Sequence, residues 1–123
     1  FNNIIKELYR ICKNNALIDI HVPHPRHDNF INDPTHVRPV TVAMLKLYSK
    51  ANNDLWAKMG AANSPLGLIH NVDFEIVSSN FIFDERIRKK INTGEIKRDE
   101  LQFYVDHHNN IVKQIDIKWR VIK

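Results

Sequence analysis

Residues 111–121 read Ile-Val-Lys-Gln-Ile-Asp-Ile-Lys-Trp-Arg-Val. Ile115, Ile117, Trp119 and Val121 occupy every second position, and Lys118 and Arg120 fall between them on the outward side. That period of two predicts a β-strand with one buried and one wet face, because successive strand side chains point to opposite sides. Just upstream, His107-His108-Asn109-Asn110 supplies turn residues, and Leu101, Phe103 and Val105 alternate again. Residues 101–121 are therefore predicted to form an antiparallel hairpin.

The rest of the chain is read outward from that hairpin. Asp84 caps a short, strongly basic helix that runs through Ile91 and closes at Thr93-Gly94. Residues 69–77 read as a strand, with Val72, Phe74 and Ile76 on one side, after a turn at Ser64-Pro65 and Gly67. Met44, Leu47, Tyr48, Ala51, Leu55 and Met59 make one apolar stripe at helical spacing, and Gly60 supplies the stop. Pro23, Pro25, Pro34 and Pro39 bracket a segment in which no regular element fits; such segments are more often functional or flexible than neutral. Residues 17–22 alternate, with Ile18, Ile20 and Val22 set against Asp19 and His21, and predict a short strand with one polar face. Asn2 or Asn3 is expected to cap a first helix that carries Ile4, Ile5, Leu8, Ile11 and Cys12 at helical period and ends at Asn14-Asn15.

Helices early and strands late imply an α+β fold, with a helical N-terminal half packed on a small twisted antiparallel sheet formed mainly by the C-terminal half. No repeat, linker or low-complexity block interrupts the 123 residues, so residues 1–123 are expected to be a single domain. Phe1 stands where Met would open a complete chain, which reads as excision from a longer protein.

Composition narrows the function. A hydrophobic fraction of 43% and a charged fraction of 26% are those of a soluble globular protein. No apolar run approaches the roughly 20 residues that span a bilayer, and no signal peptide opens the chain. The single cysteine, Cys12, excludes an internal disulfide and a multi-thiolate zinc site; it falls on the apolar side of the first helix and reads as an inert thiol. A net charge of +4 favours an anionic partner such as nucleic acid or an acidic protein.

Four constellations bear on chemistry. His70, in Gly-Leu-Ile-His-Asn-Val-Asp-Phe (67–74), stands at the mouth of a predicted strand. Metal-free RNA cleavage needs a base for the 2′-hydroxyl, an acid for the departing 5′-oxygen and cations for the phosphorane charge, and histidine suits either proton role. Arg86, Arg88, Lys89 and Lys90 on the basic helix, with Lys118 and Arg120 on the last strand, are the candidate phosphate contacts. The competing reading has His70 satisfying a backbone carbonyl in its turn. His107 and His108 form a second pair, optional for a turn that Asn109-Asn110 already makes, and one of them is a candidate second proton-transfer group. His21, His24, His27 and Asp28, with His36 beyond, form a third cluster that offers a zinc ligand set or, with Arg26, a phosphate-contacting loop. Asp73 with Glu95 and Lys97 offers a magnesium-nuclease arrangement, weakened because Glu95 follows Thr93-Gly94 into a turn. Trp56 and Trp119 read as core residues, and no glycine-rich phosphate loop or nucleophile elbow is present.

The order of elements around His70, Asp73 and Phe74, with the Asn109-Asn110 turn and Trp119, resembles the colicin D-like tRNase domains. More broadly it resembles the barnase–EndoU–colicin–RelE-type toxin nucleases at the C-termini of bacterial polymorphic toxins, over roughly residues 67–121. Glu75 stands where that family commonly has glycine, and Ser64-Pro65-Leu66-Gly67 replaces the lysines that typically precede its histidine. The resemblance implies an RNA substrate, tRNA among them, and metal-free transesterification with no cofactor. It also implies secretion and delivery into a target cell's cytoplasm, a cognate acidic immunity protein, and His70 as general acid or base. The expectation is thus a small basic ribonuclease domain using His70, assisted by Arg86, Arg88 or Lys118. The alternative is a non-catalytic nucleic-acid- or protein-binding domain of a viral or effector protein.

Overall fold

The computed structural model describes residues Phe1–Lys123 and is α+β: seven α-helices and one three-stranded antiparallel sheet. In chain order the elements are α1 (Asn2–Ile11), β1 (Leu17–Pro23), α2 (Asp28–Ile31), α3 (Val42–Lys46), α4 (Lys50–Met59), α5 (Leu66–Ile69), β2 (Phe74–Phe83), α6 (Glu85–Asn92), a 3₁₀ turn (Arg98–Glu100), α7 (Leu101–His107) and β3 (Val112–Val121). The predicted alternation in 111–121 places β3 at the centre of the sheet, in the order β1-β3-β2. Ile115, Ile117, Trp119 and Val121 are buried, while Gln114, Asp116, Lys118 and Arg120 are half-exposed on the opposite face.

Backbone bonds fix the register. Val121 N–H donates to Ala16 and His24 N–H to Lys113, so β1 and β3 run antiparallel with Asp19 facing Lys118 and His21 facing Asp116. Asp84 N–H donates to Ile111 and Ile122 N–H to Asp73, which sets Glu75 against Arg120 and Phe81 against Gln114 across β2 and β3. Opposed residues in an antiparallel pair lie within side-chain reach, so these pairs carry the face's chemistry.

The chain falls into two compact units, one comprising residues 1–20, 42–79 and 117–123 and the other residues 21–41 and 80–116. In the first unit Ile5, Leu45, Tyr48, Val72, Phe74, Ile117, Trp119 and Val121 are buried. Phe74 and Trp119 stack with ring centroids 3.8 Å apart, Tyr48 meets Trp119 edge-on at 6.2 Å, and Tyr9 meets Phe74 edge-on at 5.4 Å. In the second unit Ile96, Ile111, Val112 and Ile115 are buried together with His27.

The expected C-terminal hairpin is absent. Residues 101–105 are helical, because Leu101, Tyr104 and Val105 also recur at i, i+3 and i+4 and are the residues that face inward. Just before it, the Glu100 carboxylate accepts from Lys97 N–H and Glu100 N–H donates to Lys97 O, which starts the helical backbone. The predicted helix over 44–59 is two helices. Ser49 interrupts it and caps α4 by accepting from Asn52 N–H. Of its predicted apolar stripe only Tyr48 is fully buried; Leu55 and Met59 are exposed, and Asn53 faces inward instead. Gly60 does end α4, in the left-handed conformation at φ 70°.

The strand predicted for 69–77 starts later, at Phe74, and runs on to Phe83; residues 66–69 are the short helix α5. The proline-bracketed segment contains one helical turn, α2, capped by His27. Cys12 is half-buried just beyond α1. No helix is long and apolar enough to cross a membrane.

Candidate active site

His21 is the residue about which a proton-transfer site can be built. The alternation of β1 sends Ile18, Ile20 and Val22 inward and leaves Leu17, Asp19 and His21 exposed. Opposite His21, Asp116 projects from β3 onto the same wet face, and the ring Nδ1 and carboxylate Oδ1 are 2.8 Å apart. Gln114, two residues along the same face, donates from Nε2 to that Oδ1 at 2.6 Å. The hydrogen bonds from His21 and Gln114 hold the Asp116 carboxyl below its usual range. An ionised carboxylate only accepts, so the proton between the two groups is on His21 Nδ1. The neutral ring then carries its lone pair on Nε2. The His21 side chain is 61% exposed and Asp116 28%, so the carboxylate is sheltered while the ring's far edge meets solvent.

Three residues on, just past the end of β1, is His24, whose N–H donates to Lys113 O. Its Nδ1 accepts from Arg26 N–H at 3.2 Å, and its ring meets Phe81 edge-on at 5.8 Å. Phe81 faces Gln114 in the sheet register and is 43% exposed, so the second unit's wet face displays His21, Asp116, Gln114 and Phe81.

The other sequence-predicted residues divide by what their side chains already do. His70 lies at the C-cap of α5 in the first unit, not at the start of a strand. Its ring stacks on Tyr48 with centroids 6.4 Å apart, and no carboxylate or cation bonds to it. His107 and His108 end α7 instead of making a hairpin turn. His107 Nδ1 donates to Phe103 O at 2.9 Å and its ring stacks on Phe103, while His108 lies against Tyr104. Arg26 Nη1 donates to Asp106 O at 2.7 Å and to Val105 O at 3.3 Å, closing the C-terminus of α7.

Arg86 folds back onto the α6 cap, with Nε 3.0 Å from Asp84 Oδ1. Lys90 pairs with Glu95, Lys118 with Asp19 and Arg120 with Glu75. Arg88 and Lys89 are exposed on α6 without an acidic partner.

The zinc alternative of His21, His24, His27 and Asp28 is not assembled, since no three His, Cys, Asp or Glu side chains converge on one point. His27 is consumed by packing. It is buried, its Nδ1 accepts from Asn29 N–H at 3.1 Å, and its Nε2 is 3.1 Å from Asp84 Oδ2. Asp73 likewise caps a helix, accepting from Lys50 N–H, and is in the first unit while Glu95 and Lys97 are in the second.

Asp116 is the residue of this candidate site that the sequence did not single out. It lies in the decisive strand on the Lys118 side of the alternation; the missing signal was which strand would lie beside it. Compared with protein-family models, curated proteins and solved structures, the chain matches none.

Proposed function

We propose that this protein is a small ribonuclease domain of the toxin-like kind, in which His21, oriented by Asp116, takes the proton of a ribose 2′-hydroxyl. The observation that carries this reading is the 2.8 Å bond that fixes the exposed imidazole with its lone pair outward. A carboxylate held on Nδ1 selects that tautomer and stabilises the imidazolium once the proton arrives. His70, the residue favoured by the sequence, has no such partner.

The step balances without a cofactor. The 2′-oxygen forms a bond to phosphorus, its proton passes to His21 Nε2, and the P–O5′ bond breaks. The 5′-oxygen takes a proton from solvent water, which leaves a 2′,3′-cyclic phosphate and a 5′-hydroxyl end, and the proton released from His21 Nε2 neutralises the hydroxide so formed and restores the base. Exposed Phe81 offers a stacking surface for an unpaired base, and Arg88 and Lys89 offer unpaired charge to phosphates. The resemblance to toxin nucleases adds an acidic inhibitor protein as the expected partner.

The test is incubation of the domain with total RNA in excess chelator, followed by a gel. Cleavage that survives chelation and is lost in His21→Ala by about a hundred- to ten-thousand-fold is the expected result. RNA that shifts in mobility but stays intact points to the binding-module alternative. Cleavage retained in His21→Ala removes this histidine from the reaction.

A further inference from the structure

Between Glu75 and Asp84 the chain reads Ile-Val-Ser-Ser-Asn-Phe-Ile-Phe, with no charge and no proline. These residues form most of β2, a 10-residue strand at one edge of the sheet. Ile122 N–H donates to Asp73 O on the β3 side, whereas Phe74 N–H turns the other way and donates to Tyr48 O. Backbone groups alternate in direction along a strand, so those of Ile76, Ser78 and Asn80 also point away from β3. No backbone group outside the sheet bonds to them, and residues 77–81 are all exposed. Folded proteins blunt such edges with charge, proline or a short strand. The opposite edge is blunted in this way, since β1 is shorter, carries Asp19 and ends at Pro23. Residues 76–83 of β2 have none of these devices.

We propose that the open edge of β2 pairs antiparallel with β2 of a second copy of this chain, about a two-fold axis through Ser79. A two-fold contact requires a surface that complements itself. Residues 76–78 run apolar, apolar, polar, and residues 80–82 run polar, apolar, apolar, so the strand mirrors itself about Ser79. With the axis there, Ile76 faces Ile82, Val77 faces Phe81 and Ser78 faces Asn80 of the second copy. Val77 and Phe81, 41% and 43% exposed in the single chain, then cover each other on the wet face. On the other face Ser78 and Asn80 bring hydroxyl and amide together, and the outward N–H and C=O groups gain partners. Moving the axis to Ser78 sets Ile76 against Asn80 and Val77 against Ser79, which loses every match. No charged residue lies in 76–82, so the two strands meet without like-charge repulsion. The pairing does not depend on the ribonuclease reading.

Sedimentation equilibrium of the whole chain from about 1 μM to about 1 mM tests the association, and a rise to twice the mass of the chain is expected. Cross-linking tests the register. Ser79 bonds through its backbone to its own sheet, so the two copies of Ser79 form a non-hydrogen-bonded pair, with Cα atoms about 4.5 Å apart and within disulfide range. Ser79→Cys is therefore expected to give a disulfide-linked dimer on a non-reducing gel. Val77→Cys, which meets Phe81 and not itself, and the parent, whose one thiol is Cys12, are expected to stay uncross-linked. Asn80→Pro removes an N–H on the open side, where an edge strand tolerates proline, and is expected to remain a single chain. A parent that keeps the mass of one chain at every concentration overturns the proposal and leaves the edge to a different protein. Equal cross-linking of Ser79→Cys and Val77→Cys, or an undiminished dimer in Asn80→Pro, overturns it as well by placing the contact elsewhere.

Discussion

His21 and Asp116 are 95 positions apart in the chain, yet they face each other across the β1–β3 pair with Nδ1 and Oδ1 separated by 2.8 Å. The pair is half in water, so it adds little to stability: exposed ion pairs contribute about 0–1 kcal/mol. Its consequence is orientation. Without Asp116, either tautomer of His21 is accessible and the ring is free to turn.

Asp116→Asn tests orientation apart from presence. The amide keeps the size of the side chain and can donate to Nδ1, which favours the Nε2–H tautomer and removes the base. We expect kcat on RNA to fall by about a hundred- to ten-thousand-fold. Urea unfolding should show a change of under about 1 kcal/mol. An Asp116→Asn protein with parental turnover would leave the carboxylate without a catalytic role.

Asp84 governs acid stability. Arg86, donating from both guanidinium and backbone, and then His27, hold its carboxyl far below the ordinary value of 3.8 despite the opposing effect of burial. A carboxyl whose folded pKa is depressed contributes stability that is complete above its unfolded value and lost as pH falls through the folded one. The parent should therefore lose thermal stability steadily below about pH 4, and Asp84→Asn should show a flatter acid limb. Melting curves between about pH 2 and pH 7 decide this, and parallel acid limbs would contradict it.

The fold class was legible because its signals are local. The period of two in 111–121, the capped basic helix after Asp84 and the first helix appear where their residues placed them, although Phe1, not an asparagine, stands at the N-cap of α1 and Asn2 lies within it. Residues 101–105 misled because Leu101, Phe103 and Val105 satisfy a strand period while Leu101, Tyr104 and Val105 satisfy a helical one. Short apolar runs do not separate the two. The polar face carrying Asp19 and His21 was also readable. Its partner was not, because the pairing of β1 with β3 is a long-range event that no spacing encodes. His70 drew attention by its neighbours in sequence, but its ring lies against Tyr48 with no carboxylate bonded to it to select a tautomer.

Arg26 is a structural cation and its substitution should say so. Its guanidinium donates to the Val105 and Asp106 carbonyls at the end of α7, where backbone acceptors are otherwise unpaired and a positive charge complements the helix dipole. Arg26→Ala is expected to cost about 0.5–1.5 kcal/mol in chemical denaturation. RNA affinity and its salt dependence should stay unchanged, since no phosphate contact is lost. A reduced salt slope would instead place this side chain on the nucleic acid.

Trp119 separates packing from hydrogen bonding in the first unit's core. The ring is fully buried, stacked on Phe74 and edge-on to Tyr48, and its Nε1–H has no acceptor. An unsatisfied buried donor costs about 1–3 kcal/mol, which Trp119→Phe removes while leaving a smaller ring and a void. The two effects oppose each other, so Trp119→Phe should destabilise by no more than about 1.5 kcal/mol. Trp119→Ala loses the stacking as well and should cost about 3–5 kcal/mol. Equal losses for the two variants in urea titrations would mean that the indole N–H is satisfied and that its bond, not the ring, holds Trp119 in place.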